Sequence, residues 1–112
     1  MIAAPIRAAL VLGATLHTVC CVAAFAQVAK PDPAQVEKGE QVYADYCQVC
    51  HGDNLVSSGQ TFDLRKLKPE ERERFSRAVV NGKGQMPPWK GVLEDNQIDA
   101  VWAYVMSRGG GS

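Results

Sequence analysis

Apolar residues recur at helical spacing in three segments of this chain. The first segment begins at Asp32 and Pro33, which suit the N-cap and the first position of a helix. The spacing that follows places five residues on one face: Val36, Gly39, Tyr43, Tyr46 and Cys47. We therefore predict a first helix that runs into the segment around Cys47.

The second and third segments predict two more helices. The second opens at Pro69 with acidic residues in its first turn, and its apolar stripe is formed by Phe75 and Val79. The third spans about residues 95–107, and four residues form its apolar face: Ile98, Val101, Trp102 and Val105. No segment shows the period of two that is typical of a strand. The pattern therefore predicts an all-α fold.

Gly39 lies in the middle of the first predicted helix, where glycine costs about 1 kcal/mol relative to alanine. Either the helix tolerates this cost, or the missing side chain lets another helix cross closely, and the second interpretation is favoured. Trp102 of the last helix is bulky enough to lie against Gly39 and Tyr43. We therefore expect the first and last helices to cross near Gly39.

Residues 1–26 have the features of a cleaved secretory signal peptide. Arg7 supplies a short basic region, an uncharged run rich in Ala, Val and Leu follows, and Ala24-Phe25-Ala26 offers small residues for cleavage before Gln27. The rival interpretation is an uncleaved membrane anchor, because about 17 apolar residues are the lower limit of a span. The cleavage site and the polar interruption at residues 17–18 favour removal.

Cys47-Gln48-Val49-Cys50-His51 has the Cys-x-x-Cys-His spacing that is typical of covalent haem attachment. On a helix, the two cysteines and the histidine share a face, so two sulfurs can bond the haem vinyl groups and the imidazole can bind the iron. The alternatives are a disulfide, a zinc site and a thioredoxin-like dithiol. A structural zinc site needs four ligands, whereas the chain after the leader offers two cysteines and one histidine. The dithiol motif should follow a strand in a βαβ unit, and none is predicted.

Residues 27–112 are sufficient for one small domain. A domain of this size is only marginally stabilised by a hydrophobic core alone. A covalently held haem is a large apolar body and would fill that core. The formal net charge of the 112-residue chain is zero, so its overall electrostatic field does not favour binding to nucleic acid. Two of the four cysteines lie in the leader and the other two lie in the haem motif, so we expect no structural disulfide.

The segment from Gly82 to Trp89 carries a second chemical signal. Two glycines permit close approach of the backbone, and two prolines stiffen the loop around Met86. Such a loop is suited to presenting a thioether to iron, whereas Met106 belongs to a helical stripe and is interpreted as a core residue. If the leader is cleaved, His51 is the remaining histidine, so a second histidine ligand is excluded. A five-coordinate iron remains open.

Arg65 stands between Leu64 and Leu67, which with Phe62 indicate apolar contacts beneath a loop. The simple interpretation of Arg65 is a solvated side chain. The alternative is a bidentate contact with a haem propionate, because the guanidinium group matches a carboxylate.

These motifs resemble those of the class I c-type cytochromes. The resemblance covers residues 27–107 and rests on four stretches: Cys47 to His51, Gly39 with Tyr43, Asn81-Gly82 leading to Met86-Pro87-Pro88-Trp89, and Trp102-Ala103-Tyr104-Val105. It implies a small all-α fold in which the first and last helices cross near a right angle. It also implies thioethers from Cys47 and Cys50, His51 and Met86 as axial iron ligands, and electron transfer without catalysis.

Residues 62–65 and 86–91 are most similar to those of small cytochromes that accept electrons from periplasmic quinoprotein (PQQ) alcohol dehydrogenases. This similarity implies a periplasmic carrier of one haem c, with such a dehydrogenase as donor and a terminal oxidase as acceptor. Membrane association is expected only if the leader is retained. The alternative is a haem subunit, or a ligand-binding or peroxidase-type haem protein with an open sixth site. Met86 discriminates between the carrier and the open site.

Overall fold

The computed structural model describes residues 29–109, and helices form its framework. The α-helices of this range are α1 (Pro33–Tyr46), α2 (Gln48–His51), α3 (Arg72–Asn81) and α4 (Asp95–Arg108). Short 3₁₀ turns lie between them at Asp53–Leu55, Leu64–Lys66 and Pro69–Glu71. The described residues contain isolated β-bridges but no strand, so the predicted all-α fold is confirmed. The predicted leader and the last three residues lie outside the described range.

Local sequence signals account for the helix boundaries. The Asp32 carboxylate accepts a hydrogen bond from the Ala34 N–H at 3.2 Å, and Pro33 is the first residue of α1, as predicted. A capping box starts α4, in which the Glu94 N–H donates to the Gln97 side chain at 2.9 Å. Pro69 opens a 3₁₀ turn rather than an α-helix, and α3 continues directly from that turn.

Helices α1 and α4 make the principal contact of the fold, and Gly39 is where their backbones meet. A Cβ atom at Gly39 would lie 1.8 Å from the Ala100 carbonyl oxygen and 2.9 Å from the Tyr104 Cβ. The Tyr43 and Tyr104 rings pack beside this point with their centroids 5.4 Å apart. The close crossing predicted at Gly39 is therefore confirmed.

The predicted partner of Gly39 was wrong, because Trp102 does not occupy the crossing. Trp102 packs against Phe75 of α3, with ring centroids 5.1 Å apart. It stands two positions from both Ala100 and Tyr104, which is about 200° around an α-helix. The α4 face towards α1 therefore carries the small Ala100 and the tyrosine, while Trp102 joins α4 to α3.

The core lies among α1, α3, α4 and the loops that connect them. It includes predicted residues of all three helices and others that the sequence pattern did not single out, such as Val42 and Leu93. Its buried members are Val42, Tyr43, Leu55, Leu67, Phe75, Val79, Leu93, Ile98, Val101, Tyr104 and Val105. Within residues 29–109, no helix has both the length and the apolar character needed to cross a membrane.

Gly39→Ala is expected to destabilise the protein by at least the ~1–3 kcal/mol that is typical of overpacking. The added methyl group would meet the backbone of Ala100, which cannot rotate away as a side chain could. The free energy of unfolding of the haem-loaded protein, measured in denaturant, is the appropriate readout.

Gly59→Ala is the matched control, because it adds the same methyl group where nothing lies within 4 Å. Gly59 has a positive φ of 91°, which alanine adopts less readily, so Gly59→Ala should lower the free energy of unfolding by a small amount. If Gly39→Ala costs no more stability than Gly59→Ala, the helices do not cross at Gly39.

Candidate haem site

The cysteine–histidine motif lies on a kinked continuation of α1. Cys47 ends α1, and the N–H groups of Cys50 and His51 both donate to the Cys47 carbonyl, at 3.2 and 2.9 Å. Helical hydrogen bonding therefore resumes immediately, and α2 carries the rest of the motif. The Cys47 side chain is half-buried against the core, whereas Cys50 is exposed. The structure thus places the motif at the edge of the core.

Cys47 and Cys50 are not joined in a disulfide. Burial, and secondarily the neighbouring Cys50, raises the pKa of the Cys47 thiol to about 11. No cluster of three or more His, Cys, Asp or Glu side chains suited to a metal ion occurs in residues 29–109.

The turn that follows the motif is fastened to α1 by Tyr43. Gly52 ends α2 with a φ of 86°, and its carbonyl accepts a hydrogen bond from the Tyr43 hydroxyl at 2.5 Å. Asn54 and the buried Leu55 also have positive φ values, 53° and 65°. Burial raises the pKa of Tyr43 to about 12, so its hydroxyl keeps the proton that it donates. Tyr43 therefore holds a tight turn directly after His51.

The His51 imidazole is half-buried, and its Nδ1 atom lies 3.4 Å from the Thr61 hydroxyl oxygen. Burial lowers the pKa of His51, and a hydrogen bond with the Phe62 backbone acts in the opposite direction. Burial thus favours the neutral imidazole, which is the form that binds metals. With Nδ1 turned towards Thr61, Nε2 is the nitrogen left for iron.

The loop that carries Met86 is bonded tightly to itself and to α3. Lys83 and Met86 exchange two backbone hydrogen bonds of 3.0 Å, and the Trp89 N–H donates to the Val79 carbonyl at 2.9 Å. Gly82 has a φ of 75°, and a Cβ atom there would lie 2.6 Å from the Met86 carbonyl oxygen. The close approach of the backbone that was predicted for both glycines of this loop is confirmed at Gly82 and wrong at Gly84, where a Cβ atom would meet nothing within 4 Å. Met86 itself is half-buried and packs against the core.

An aromatic contact joins this loop to the haem motif. The Tyr46 ring, next to Cys47, meets the Trp89 ring edge-on with centroids 5.5 Å apart. Trp89 is held in turn, because its carbonyl accepts hydrogen bonds from the Val92 and Leu93 N–H groups, both at 3.0 Å. The fold thus brings the two segments that the sequence singled out into contact.

Met106, the competing methionine, lies elsewhere. It belongs to α4 and lines a groove of about 360 Å³ together with Pro31, Pro69 and Trp102. It is half-buried and packs against the core, as its helical stripe predicted.

The Arg65 guanidinium is engaged by a neighbouring carboxylate. Its Nε and Nη2 atoms each donate to Asp63 at 3.0 Å, and the pair is solvent-exposed. Arg65 holds the pKa of Asp63 below its usual value. The propionate contact of Arg65 stays a prediction, and it would require the guanidinium to be shared with Asp63 or to leave it.

The donor groups on the motif and the methionine loop fit haem c. They are two thiols, a neutral imidazole and a thioether, which suit a covalently attached iron porphyrin and not a hard cation that prefers carboxylates. Sequence reasoning missed the roles of the Tyr43 hydroxyl and of Thr61. The tyrosine was recognised only as part of a stripe, and Thr61 gives no local signal because its partners lie ten and eleven residues away.

Comparison with known proteins supports this interpretation. Residues 34–105 match the family model described as cytochrome c oxidase, cbb3-type, subunit III. Cytochrome c6 of Euglena gracilis is 41% identical over 83 residues, which cover 66% of this chain and 93% of that protein.

Two quinohemoprotein alcohol dehydrogenases of Pseudomonas putida are also similar to this chain. ADH IIB is 37% identical over 79 residues, which cover 68% of this chain and 11% of the dehydrogenase. The solved structure of ADHIIG from strain HK5 matches with a TM-score of 0.66 and 33% identity, over 73% of this chain and 12% of that one. This chain therefore spans only a small part of these enzymes. Together with the family model and the match to cytochrome c6, the helical fold around the haem motif shows that the chain belongs to the class I c-type cytochromes, the electron-transfer proteins that bind haem c covalently.

Proposed function

We propose that this protein is a periplasmic electron carrier in which Cys47 and Cys50 form the haem thioethers and His51 and Met86 bind the iron. The observation that carries this proposal is the contact between the two ligand-bearing segments. The Tyr46–Trp89 contact links them, and each is fixed by its own hydrogen bonds. Such fixed segments suit a cofactor whose coordination does not change during its reaction.

The haem supplies a one-electron couple between ferric and ferrous iron. The residues of this chain set the conditions for that couple. A histidine–methionine ligand pair favours the reduced state relative to anionic ligands and gives a higher potential. The hydrogen bonds of Lys83 and Trp89 would keep Met86 in place in both states, so little rearrangement accompanies electron transfer. A thioether in the sixth position would also keep small ligands such as oxygen from the iron.

The proposed donor is a quinoprotein alcohol dehydrogenase, and the proposed acceptor is a terminal oxidase. Similarity to parts of two quinohemoprotein alcohol dehydrogenases supports the donor class. The family model, described as a subunit of cbb3-type cytochrome c oxidase, supports a respiratory acceptor. Export to the periplasm is proposed from the leader of residues 1–26, which lies outside the described range.

The surface around the ligand segments suits transient docking. Val49, between the two cysteines, is 90% exposed, and the prolines that follow Met86 are exposed as well. Lys83 and Lys90 are exposed on the methionine loop. An apolar contact with a sparse charged rim is typical of short-lived complexes, in which rim charges chiefly set the association rate.

Reduction by a quinoprotein alcohol dehydrogenase and its alcohol substrate, followed by stopped-flow absorbance, tests the donor. We expect the wild type to be reduced, and the double variant Lys83→Glu/Lys90→Glu to be reduced several-fold more slowly at low salt. The difference should shrink as ionic strength rises, because salt screens exposed charges over about 10 Å at 0.1 M.

Lys30→Glu/Lys38→Glu is the charge-matched control, since both lysines are exposed and lie outside the loop. It is expected to leave the rate close to that of the wild type. Equal slowing by both double variants would mean that net charge, not the loop, governs association. A wild type that the dehydrogenase cannot reduce would reject this donor while leaving the electron-carrier function intact.

A further inference from the structure

The methionine loop, residues 82–90, is fastened at its base to the helix from which it leaves. The Trp89 N–H donates to the Val79 carbonyl at 2.9 Å, and the Lys90 N–H donates to the Val80 carbonyl at 3.3 Å. Both acceptors belong to α3. These hydrogen bonds close the loop, but they fix it relative to α3, and α3 carries no residue of the haem motif.

The Trp89 side chain joins the loop to a different part of the fold. Its ring meets the Tyr46 ring edge-on, with centroids 5.5 Å apart and an angle of 75° between the ring planes. Tyr46 is the last residue of α1 and directly precedes Cys47. Both rings are half-buried and pack against the core. The contact therefore links the backbone that carries Met86 to the backbone that carries the haem motif.

The chain between Trp89 and Met86 is short and stiff. Pro87 and Pro88 are the intervening residues, and each proline ring fixes its own φ, so this segment has few ways to bend. The tip of the loop is open, because a Cβ atom at Gly84 would meet nothing within 4 Å. A displacement of Trp89 is thus transmitted to Met86 rather than absorbed between them.

We propose that Trp89 is a positioning residue for Met86: through its contact with Tyr46, it keeps the methionine loop against the segment of Cys47 and the sixth coordination position closed to external ligands. This inference rests on the proposed role of Met86 as an iron ligand. A loop freed from Tyr46 would still be bonded to α3 at its base, so it would move as a unit while the domain stays folded. The population of this open form determines how fast an external ligand binds.

Trp89→Leu tests the proposal, because leucine is apolar but lacks the ring. Its backbone hydrogen bond to Val79 does not involve the side chain and should remain. The readout is the rate of cyanide binding to the ferric protein, at concentrations where that rate is proportional to cyanide. Loss of an edge-to-face aromatic pair changes an equilibrium by about two- to tenfold, so the rate is expected to rise by about that factor.

The sulfur-to-iron charge-transfer band gives a second readout. In Trp89→Leu it should be present at room temperature and should disappear on heating before the helical circular dichroism is lost. In the wild type the two signals should change together. A loss of packing without opening of the loop would lower both temperatures equally.

Tyr46→Leu removes the same contact from the other side and should raise the cyanide rate by a similar factor. Because the two substitutions break one contact, the double variant should bind cyanide no faster than the faster single variant. Trp89→Phe and Tyr46→Phe each keep a ring and are expected to recover most of the wild-type rate. If Trp89→Leu does not accumulate, Tyr46→Leu carries the test.

Trp102→Leu is the matched control, because it removes a tryptophan from an aromatic pair outside the loop. Trp102 packs against Phe75 with ring centroids 5.1 Å apart. The variant should lower the free energy of unfolding and leave the cyanide rate unchanged. An equal rise of that rate in Trp102→Leu would overturn the proposal, because general loss of stability would then open the site.

A wild-type cyanide rate in both leucine variants of the Tyr46–Trp89 contact would also overturn the proposal, as would independent, multiplying effects in the double variant. Failure of the proposed function is distinguishable, because it would appear in the wild type. A wild type that lacks the charge-transfer band and binds cyanide rapidly refutes Met86 as a ligand. A wild type that has the band, with leucine variants that match its rate, refutes only the role of Trp89.

Discussion

The double variant Cys47→Ser/Cys50→Ser is expected to contain no covalently bound haem. A serine hydroxyl does not add to a vinyl group to form a thioether, so neither side of the porphyrin would be bonded to the chain. Each single variant should retain at most one thioether and should accumulate poorly as holoprotein. Because a domain of this size has a marginal core without the haem, the double variant should also lose most of its folded structure.

Intact mass of the exported protein measures this result directly. The wild type is expected to have the mass of residues 27–112 plus one haem, and the double variant the mass of the chain alone. Gln48→Ser is the matched control, since it introduces serine between the two cysteines and should keep the haem. A double variant with a full covalent haem would refute the assignment of both cysteines.

The start of α1 and the close crossing could be predicted because their causes are local in the sequence. Asp32 and Pro33 encode the start of α1 through a side-chain cap and a fixed φ. Gly39 is unusual within a helix, and the absence of its side chain has a direct steric meaning. Gly82 likewise marks a positive φ and a close contact with the methionine loop.

Which residue of α4 meets Gly39 could not be predicted in the same way. Trp102 and Tyr104 are both large and apolar enough for a helix interface, and the stripe on α4 is wide. The choice depends on α3, whose Phe75 takes the Trp102 ring and leaves Tyr104 to face Tyr43. The residue that faces α1 therefore depends on how three helices pack together, and the apolar pattern of α4 alone does not determine it.

The haem motif was recognisable from five consecutive residues, whereas its supports were not. Tyr43 bonds to Gly52 nine residues later, and Thr61 bonds back to Cys50 from a loop without regular structure. Hydroxyl groups carry no periodic signal, and loop paths are not encoded by local spacing. The chemistry of the candidate site could therefore be predicted, while the groups that orient it required the structure.

Met86→Ala is expected to open the sixth coordination position of the iron. The methyl side chain of alanine cannot ligate, so the variant should lose the sulfur-to-iron charge-transfer band of the ferric protein and bind cyanide or carbon monoxide rapidly. Its reduction potential should fall, because a thioether ligand stabilises ferrous iron. The loop should survive, since the backbone bonds of Lys83 and Met86 do not involve the removed side chain.

Met106→Ala is the matched control for Met86→Ala. It removes the same thioether from the α4 groove beside Trp102, so it should loosen packing by about 2–5 kcal/mol at most and leave the ferric spectrum unchanged. Survival of the charge-transfer band in Met86→Ala together with its loss in Met106→Ala would reverse the ligand assignment. If the wild type lacks this band and already binds carbon monoxide rapidly, the sixth site is open. The protein would then be a ligand-binding or peroxidase-type haem protein, because a thioether-ligated iron must release Met86 before it can bind an external ligand.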